Sequence, residues 1–198
     1  LEDGSTIYGE EFNFTTLPVV PTVNTAAVTE IAGKSASCGG MVMVTGGAVI
    51  AKQGVCWSTK PNPTIADSKT ENGNASGPYV SVLTDLKGKT TYYVRAYATN
   101  SAGTGYGPEV IFTTLVAVPD LTTNAATNIG ASGATSGGKI TADGGAAITA
   151  KGVCWSTSAN PAIADSKTSN GSGTADFTSN STGLNIATTY HVRSYATN

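Results

Sequence analysis

Apolar and polar residues alternate with period two along several short stretches of this chain. In TTYYVRAYATN at 90–100, Tyr92, Val94, Ala96 and Ala98 share one face, and Tyr93, Arg95 and Tyr97 share the other. The apolar-to-small set is expected to face a core. VIFTT at 110–114 alternates with Val110 and Phe112 inward. AKQGVCWST at 51–59 places Val55 and Trp57 on one face, Cys56 and Ser58 on the other, and CGGMVMV at 38–44 reads as a further strand whose glycines mark a close backbone approach or a bulge. Turn signals separate the runs: TGG at 45–47, KPNP at 60–63, ENGN at 71–74, LKGK at 86–89 and SAGTG at 101–105. No segment carries a helical period. The expectation is an all-β, immunoglobulin-like β-sandwich, built from about seven short strands with a turn every 8–12 residues.

The pattern occurs twice. GVCWST stands at 54–59 and 152–157, IADSKT at 65–70 and 163–168, and TTYYVRAYATN at 90–100 faces TTYHVRSYATN at 188–198. Each pair is offset by 98 residues, and from Ile31/Ile129 to Asn100/Asn198 the alignment needs no gap, with 36 of 70 positions identical. GSTIYGEEFNFTTL at 4–17 aligns at the same offset with AGTGYGPEVIFTTL at 102–115. A period of this length matches an autonomous domain rather than a solenoid unit. The expected division is therefore 1–17 as the last strand of a preceding repeat, 18–115 as a complete sandwich, and 116–198 as a second sandwich lacking its last strand.

Leu86, Thr90, Tyr92, Val94, Ala96, Ala98 and Asn100, echoed by Leu184, Thr188, Tyr190, Val192, Ala196 and Asn198, resemble the late strands of fibronectin type III domains. The wider pattern GVCWST…NP…IADSKT…FTT is similar to the fibronectin-like tandem repeats of large secreted or surface proteins of Bacteroidetes-type bacteria. The resemblance implies a tyrosine corner, with the hydroxyls of Tyr92 and Tyr190 tying a crossover to backbone. Two features depart from the family pattern. Fibronectin domains carry a core Trp in their second strand, whereas Trp57 and Trp155 fall in the third predicted strand. The Arg-Gly-Asp of some animal members is absent from the loop at 101–107, so that integrin-binding activity does not transfer.

Composition narrows the chemistry. Only 12% of residues are charged, against about 25% in an average domain. Thr, a β-prone residue, occurs 31 times. A net charge of −2 with scattered Lys and Arg gives no footprint for nucleic acid or anionic lipid, and no apolar run is long enough to span a membrane. One His and few acids leave little for catalysis, and the expectation is a protein that is not an enzyme, with no cofactor and no metal site. His191 aligns with Tyr93, so a role for it would be lost in the first repeat. Three cysteines are an odd number, so at least one is free or intermolecular. Cys38 and Cys56 lie on strands that a disulfide could bridge, but Cys154 persists opposite Ser136, so the simpler reading makes Cys56 and Cys154 small buried apolar groups. Asp67 and Asp165 are expected to cap their own loops rather than bind calcium. Gly103-x-Gly105-x-Gly107 sits between two strands with no helix to hold a phosphate, and reads as a hairpin loop.

Two surfaces remain as candidates. Tyr93, Arg95 and Tyr97, with His191, Arg193 and Tyr195, form an outward stripe that could stack on a sugar or a partner strand, against the alternative of a solvated face with Arg lying across Tyr rings. Ile7, Tyr8, Phe12 and Phe14 lie in a strand-like segment with no domain of its own. Either the 198 residues are a window on a longer polypeptide, or this segment completes the second sandwich of another copy by strand complementation. The function expected is structural or adhesive: a secreted, cell-surface stalk or filament whose partners are neighbouring repeats, other copies in a fibre, or glycans. The alternative is a spacer or carbohydrate-binding module of a secreted polysaccharide-degrading enzyme.

Overall fold

The computed structural model describes residues 4–75 and 77–198. Residues 1–3, part of the predicted N-terminal strand segment, lie outside the described residues. The first repeat holds eight strands: β1 (Thr22–Thr25), β2 (Ala36–Val44), β3 (Lys52–Ser58), β4 (Ser68–Lys69), β5 (Pro78–Leu83), β6 (Thr91–Asn100), β7 (Gly103–Tyr106) and β8 (Val110–Thr113). One sheet runs β1-β2-β5 and the other β4-β3-β6-β7, with β8 also on β6. The second repeat holds β9 (Asp120–Thr127), β10 (Gly133–Ala142), β11 (Ala150–Ser156), β12 (Ser166–Lys167), β13 (Phe177–Thr182) and β14 (His191–Thr197). Its sheets run β13-β10-β9 and β12-β11-β14. Each repeat carries the immunoglobulin-like, fibronectin type III-like pairing, and all of it is antiparallel.

The first core forms where the inner faces of the two sheets meet. Val23, Ala36, Cys38, Val42, Leu83, Val94, Ala96, Ala98 and Phe112 are buried there, with Trp57 and Tyr79 packed against them. Phe112 pairs with Tyr92 across β8 and β6, their rings 5.8 Å apart and nearly parallel. The hydroxyl of Tyr92 accepts a hydrogen bond from the Lys87 amide at 2.9 Å, and Tyr190 does the same for Asn185 at 3.2 Å. The tyrosine corner implied by the resemblance is therefore present in both repeats. Asn100 fastens another corner: its carboxamide N–H donates to Val19 O and Thr45 O, and its oxygen accepts from the amides of Ala102 and Gly103. Asn198 donates likewise to Ala117 O and Asp143 O.

One sequence expectation needs correction. The alternation leaves Tyr97 on an outward face of β6, yet it is only 1% exposed; Cys56, read as a buried apolar group, is fully buried on the same side of the sheet. The chain after β3, from the KPNP turn through Thr70 just past β4, folds back over that face. Pro63 and Thr70 lie on top of Cys56 and Tyr97, and the Tyr97 hydroxyl donates to Thr70 O at 2.7 Å. Gly54 lets the segment approach, since a Cβ there would sit 2.1 Å from Thr70 O. Gly152 has the same relation to Thr168 O in the second repeat. Period-two patterning reports which side of a strand points at the other sheet; it carries no signal for a loop that covers the far side.

Candidate functional site

The outward stripe is not a continuous aromatic platform. Tyr93 and Arg95 are half-buried, but Tyr97 is sealed beneath the crossover and offers nothing to a ligand. The Arg95 guanidinium lies over the Tyr106 ring, 4.7 Å from its centroid, and its Nε donates to Gly107 O at 3.0 Å. Tyr106 in turn accepts from the Ile65 amide at 3.1 Å. Arg95 is therefore occupied by a strand of its own sheet, a partner that sequence spacing alone did not identify. In the second repeat His191 and Arg193 are exposed, and Tyr195 is half-buried with its hydroxyl donating to Thr168 O at 2.6 Å. His191 pairs with Ser156 in the strand register.

The cysteines are all free and buried. Cys56 Sγ points at Pro63 O and Arg95 O, and Cys154 Sγ at the equivalent Pro161 O and Arg193 O. Burial pushes the Cys38 and Cys56 thiols up to about 11, and Tyr97 up to about 12. These groups are neutral when protonated, so the folded state holds their protons more tightly than the unfolded chain does. The stability they contribute is complete below the ordinary thiol value of 9.0 and is lost as pH rises through the folded values. Urea unfolding midpoints should thus be level from pH 7 to about 8.5 and fall between about 9 and 11, more shallowly in Cys56→Ala. A midpoint unchanged at about pH 10.5 would refute this.

The remaining candidates close onto backbone. The Asp67 carboxylate accepts from the Thr64 amide at 2.9 Å, and Asp165 from the Ala162 amide at 2.8 Å, so both cap turns. Gly103–Tyr106 is the second arm of a β-hairpin. No group of three or more metal-ligating side chains is assembled among the described residues.

What the structure leaves open is an edge. In the first repeat, β6 is flanked by β3 on one side and by β7 and β8 on the other. In the second, β14 pairs with β11, and among the described residues no strand pairs with its far side. Tyr190, Val192 and Ser194, equivalent to the buried Tyr92, Val94 and Ala96, are accordingly half-buried. Beside them lies an apolar cleft of about 370 Å³, lined by Trp155, Val192, Tyr190, Leu184, Ala126 and Ser181 among others. At the other end of the chain, Phe12 and Phe14 are 85% and 89% exposed, and residues 4–17 belong to no sheet.

No protein-family model matches the chain, and neither does any curated protein. Among solved structures it is similar to one described as a myokine, at 21% identity and TM-score 0.37 over 50% of this chain and 99% of that one. It is also similar to the chicken CNTN1 FN1–FN3 domains, at 15% identity and TM-score 0.34, covering 92% of this chain and 64% of that one. A third likeness is to titin domains A168–A170, at 21% identity and TM-score 0.36, covering 50% of this chain and 32% of that one.

Proposed function

We propose that this chain is a non-catalytic structural segment of an extracellular surface protein. In this reading 18–115 and 116–198 are successive sandwiches of a stalk or filament, and the partners are neighbouring repeats. The observation that carries the reading is the joint between the repeats. Gly88, in the turn before β6, lies so close to the second repeat that a Cβ would sit 2.1 Å from Gly144 O and 2.9 Å from Ala117 N. A Cβ on Gly145 would sit 2.5 Å from the Cβ of Lys89. Ala117 N donates to Gly144 O at 2.8 Å, Lys89 N donates to Leu115 O at 2.9 Å, and Lys34 pairs with Asp120 across the junction. Backbone seated directly on backbone, with only residues 114–119 between β8 and β9, restricts bending more than a flexible tether would. The low charge suits a rod that must stay soluble without strong fields. The sugar-platform alternative loses its main support, because Tyr97 is buried and Arg95 is already stacked on Tyr106.

The joint can be tested directly. Spin labels at Thr59→Cys and Thr157→Cys, both exposed and at equivalent positions, should give a narrow distance distribution. Gly88→Val should broaden it about twofold while each sandwich keeps its circular dichroism. A distribution already broad in the parent chain would overturn the stiff-joint reading.

A further inference from the structure

We propose that each repeat carries a cleft for a neutral sugar at one edge of its sandwich, where β4 ends one sheet and β5 the other in the first repeat, and β12 and β13 do so in the second. This goes beyond the stalk reading, which names no ligand. In the first repeat the cleft measures about 520 Å³ and is lined by Trp57, Thr59, Asp67, Ser68, Thr84 and Tyr92 among others. It shares no residue with the Tyr93–Arg95–Tyr97 stripe, and it is present with β7 and β8 in place. A cleft of about 270 Å³ stands at the same place in the second repeat. Eight positions line both clefts, and seven of them hold the same residue; the eighth is Asp85 in one and Gly183 in the other. Over the 70 aligned positions of the two repeats only 36 are identical.

Part of that identity has a structural cause. Trp57 packs on the core, the Tyr92 hydroxyl closes its corner on the Lys87 amide, and the Ser58 hydroxyl accepts from the Lys60 amide. Thr59 and Ser68 have no such cause. Both are exposed, their hydroxyls bond nothing among the described residues, and Thr157 and Ser166 repeat that state. Asp67 is only half engaged: its Oδ2 accepts from the amide and hydroxyl of Thr64, and its Oδ1 bonds nothing among the described residues. Asp165 likewise uses only Oδ2, on the Ala162 amide. The neighbouring Lys69 and Lys167 turn their ammonium groups to Ile65 O and Ile163 O, at 2.8 and 2.6 Å, and leave both carboxylates without an ion pair among the described residues.

These groups match the chemistry of a pyranose. The half-buried indole offers an apolar plane to the C–H face of a sugar ring. The free hydroxyls of Thr59 and Ser68 can both give and take hydrogen bonds. The open carboxylate oxygen of Asp67 accepts from a sugar hydroxyl in a charge-assisted bond, which is shorter and stronger than a neutral one. A cation fits less well. Calcium takes about six to eight oxygen ligands, and the second cleft keeps one carboxylate where the first has two. What recurs in both clefts is the aromatic ring, the hydroxyls and a single carboxylate, and this set suits an uncharged polyol. Two weak sites on one chain add as avidity on a polysaccharide that presents the same sugar repeatedly.

The chain has 2 tryptophans and both line these clefts, so tryptophan fluorescence reports on the clefts directly. Titration with the methyl glycosides of glucose, galactose and mannose, up to about 100 mM, should shift the emission saturably for at least one of them, with a dissociation constant on the order of 1–10 mM. Asp67→Asn with Asp165→Asn keeps an acceptor for each turn amide and should weaken binding by about 10-fold at unchanged circular dichroism. Ser68→Tyr with Ser166→Tyr, at exposed positions, should fill the clefts and abolish the response. Emission that stays flat for all three sugars would overturn the proposal, as would equal affinity in the aspartate double variant and the parent. A shift given by calcium chloride at about 5 mM and by none of the sugars would overturn it in favour of a cation site. The spin-label distances across the Gly88 joint test the stalk reading separately.

Discussion

Phe112→Ala should destabilise the first repeat by about 3–5 kcal/mol, as aromatic-to-alanine changes in buried sites do. Phe112 is 6% exposed, lies opposite Tyr92 in the strand register, and closes the end of the core that also holds Val94 and Trp57. Its removal costs the transfer energy of the ring and leaves a cavity that the tyrosine corner prevents from collapsing, because Tyr92 is tethered to the Lys87 amide. Around Tyr190, the equivalent place in the second repeat is a cleft of about 370 Å³. In urea the chain should unfold in two steps, the second repeat first, since Tyr190, Val192 and Ser194 are only half-buried where Tyr92, Val94 and Ala96 are buried. In Phe112→Ala the later step should move toward the earlier one. A loss below about 1 kcal/mol would mean that Phe112 does not close the core.

Gly54→Ala should open the crossover that covers the outer face of β3. The new methyl would sit 2.1 Å from Thr70 O and 3.0 Å from Tyr97 Cε1, and the first of these is backbone that a rotamer change cannot clear. Thr70 is held by a network of bonds: its amide donates to Val55 O, its hydroxyl oxygen accepts from Val55 N and bonds Asn72 Oδ1 and Ser81 Oγ, and its carbonyl accepts from Tyr97. Overpacking of this kind costs about 1–3 kcal/mol, which at its upper end raises the population of the opened crossover about 100-fold. The readout is the Cys56 thiol, fully buried in the parent protein and pushed up to about 11 by that burial. Labelling of Cys56 at pH 8 should accelerate by about the same factor while Cys38, on the inner face, stays protected. Equal protection of Cys56 in Gly54→Ala and the parent would show that the crossover adjusts without opening. Gly152→Ala should act in parallel on Cys154, since a Cβ on Gly152 would sit 2.2 Å from Thr168 O and the Cys154 thiol lies under Pro161 O.

The inner faces were legible in the residues because alternation is a local signal. Tyr92, Val94, Ala96, Ala98, Val110 and Phe112 all point where period two places them. The tyrosine corner came from the resemblance to fibronectin type III domains, and its bond runs from the Lys87 amide to Tyr92, five residues apart. Cys56 read as a buried apolar group and is one. Its cover was not legible, nor was that of Tyr97. The covering residues come from the other side of the KPNP turn, and whether such a segment lies over the sheet or away from it depends on packing that no periodicity encodes.

Sequence by itself determined the all-β class and the inward faces at 90–100 and 110–114, because these follow from side-chain alternation and turn chemistry within a few residues, and the 98-residue period, because the same motifs recur at that offset. It also determined that 4–17 carries the same side chains as the first repeat's last strands. Tertiary structure alone decided what those side chains meet. It brought Tyr106 over Arg95, closed the crossover over Tyr97 and seated Gly88 on Gly144. Each of these joins residues distant along the chain, and such contacts are set by how whole sheets pack rather than by any local preference.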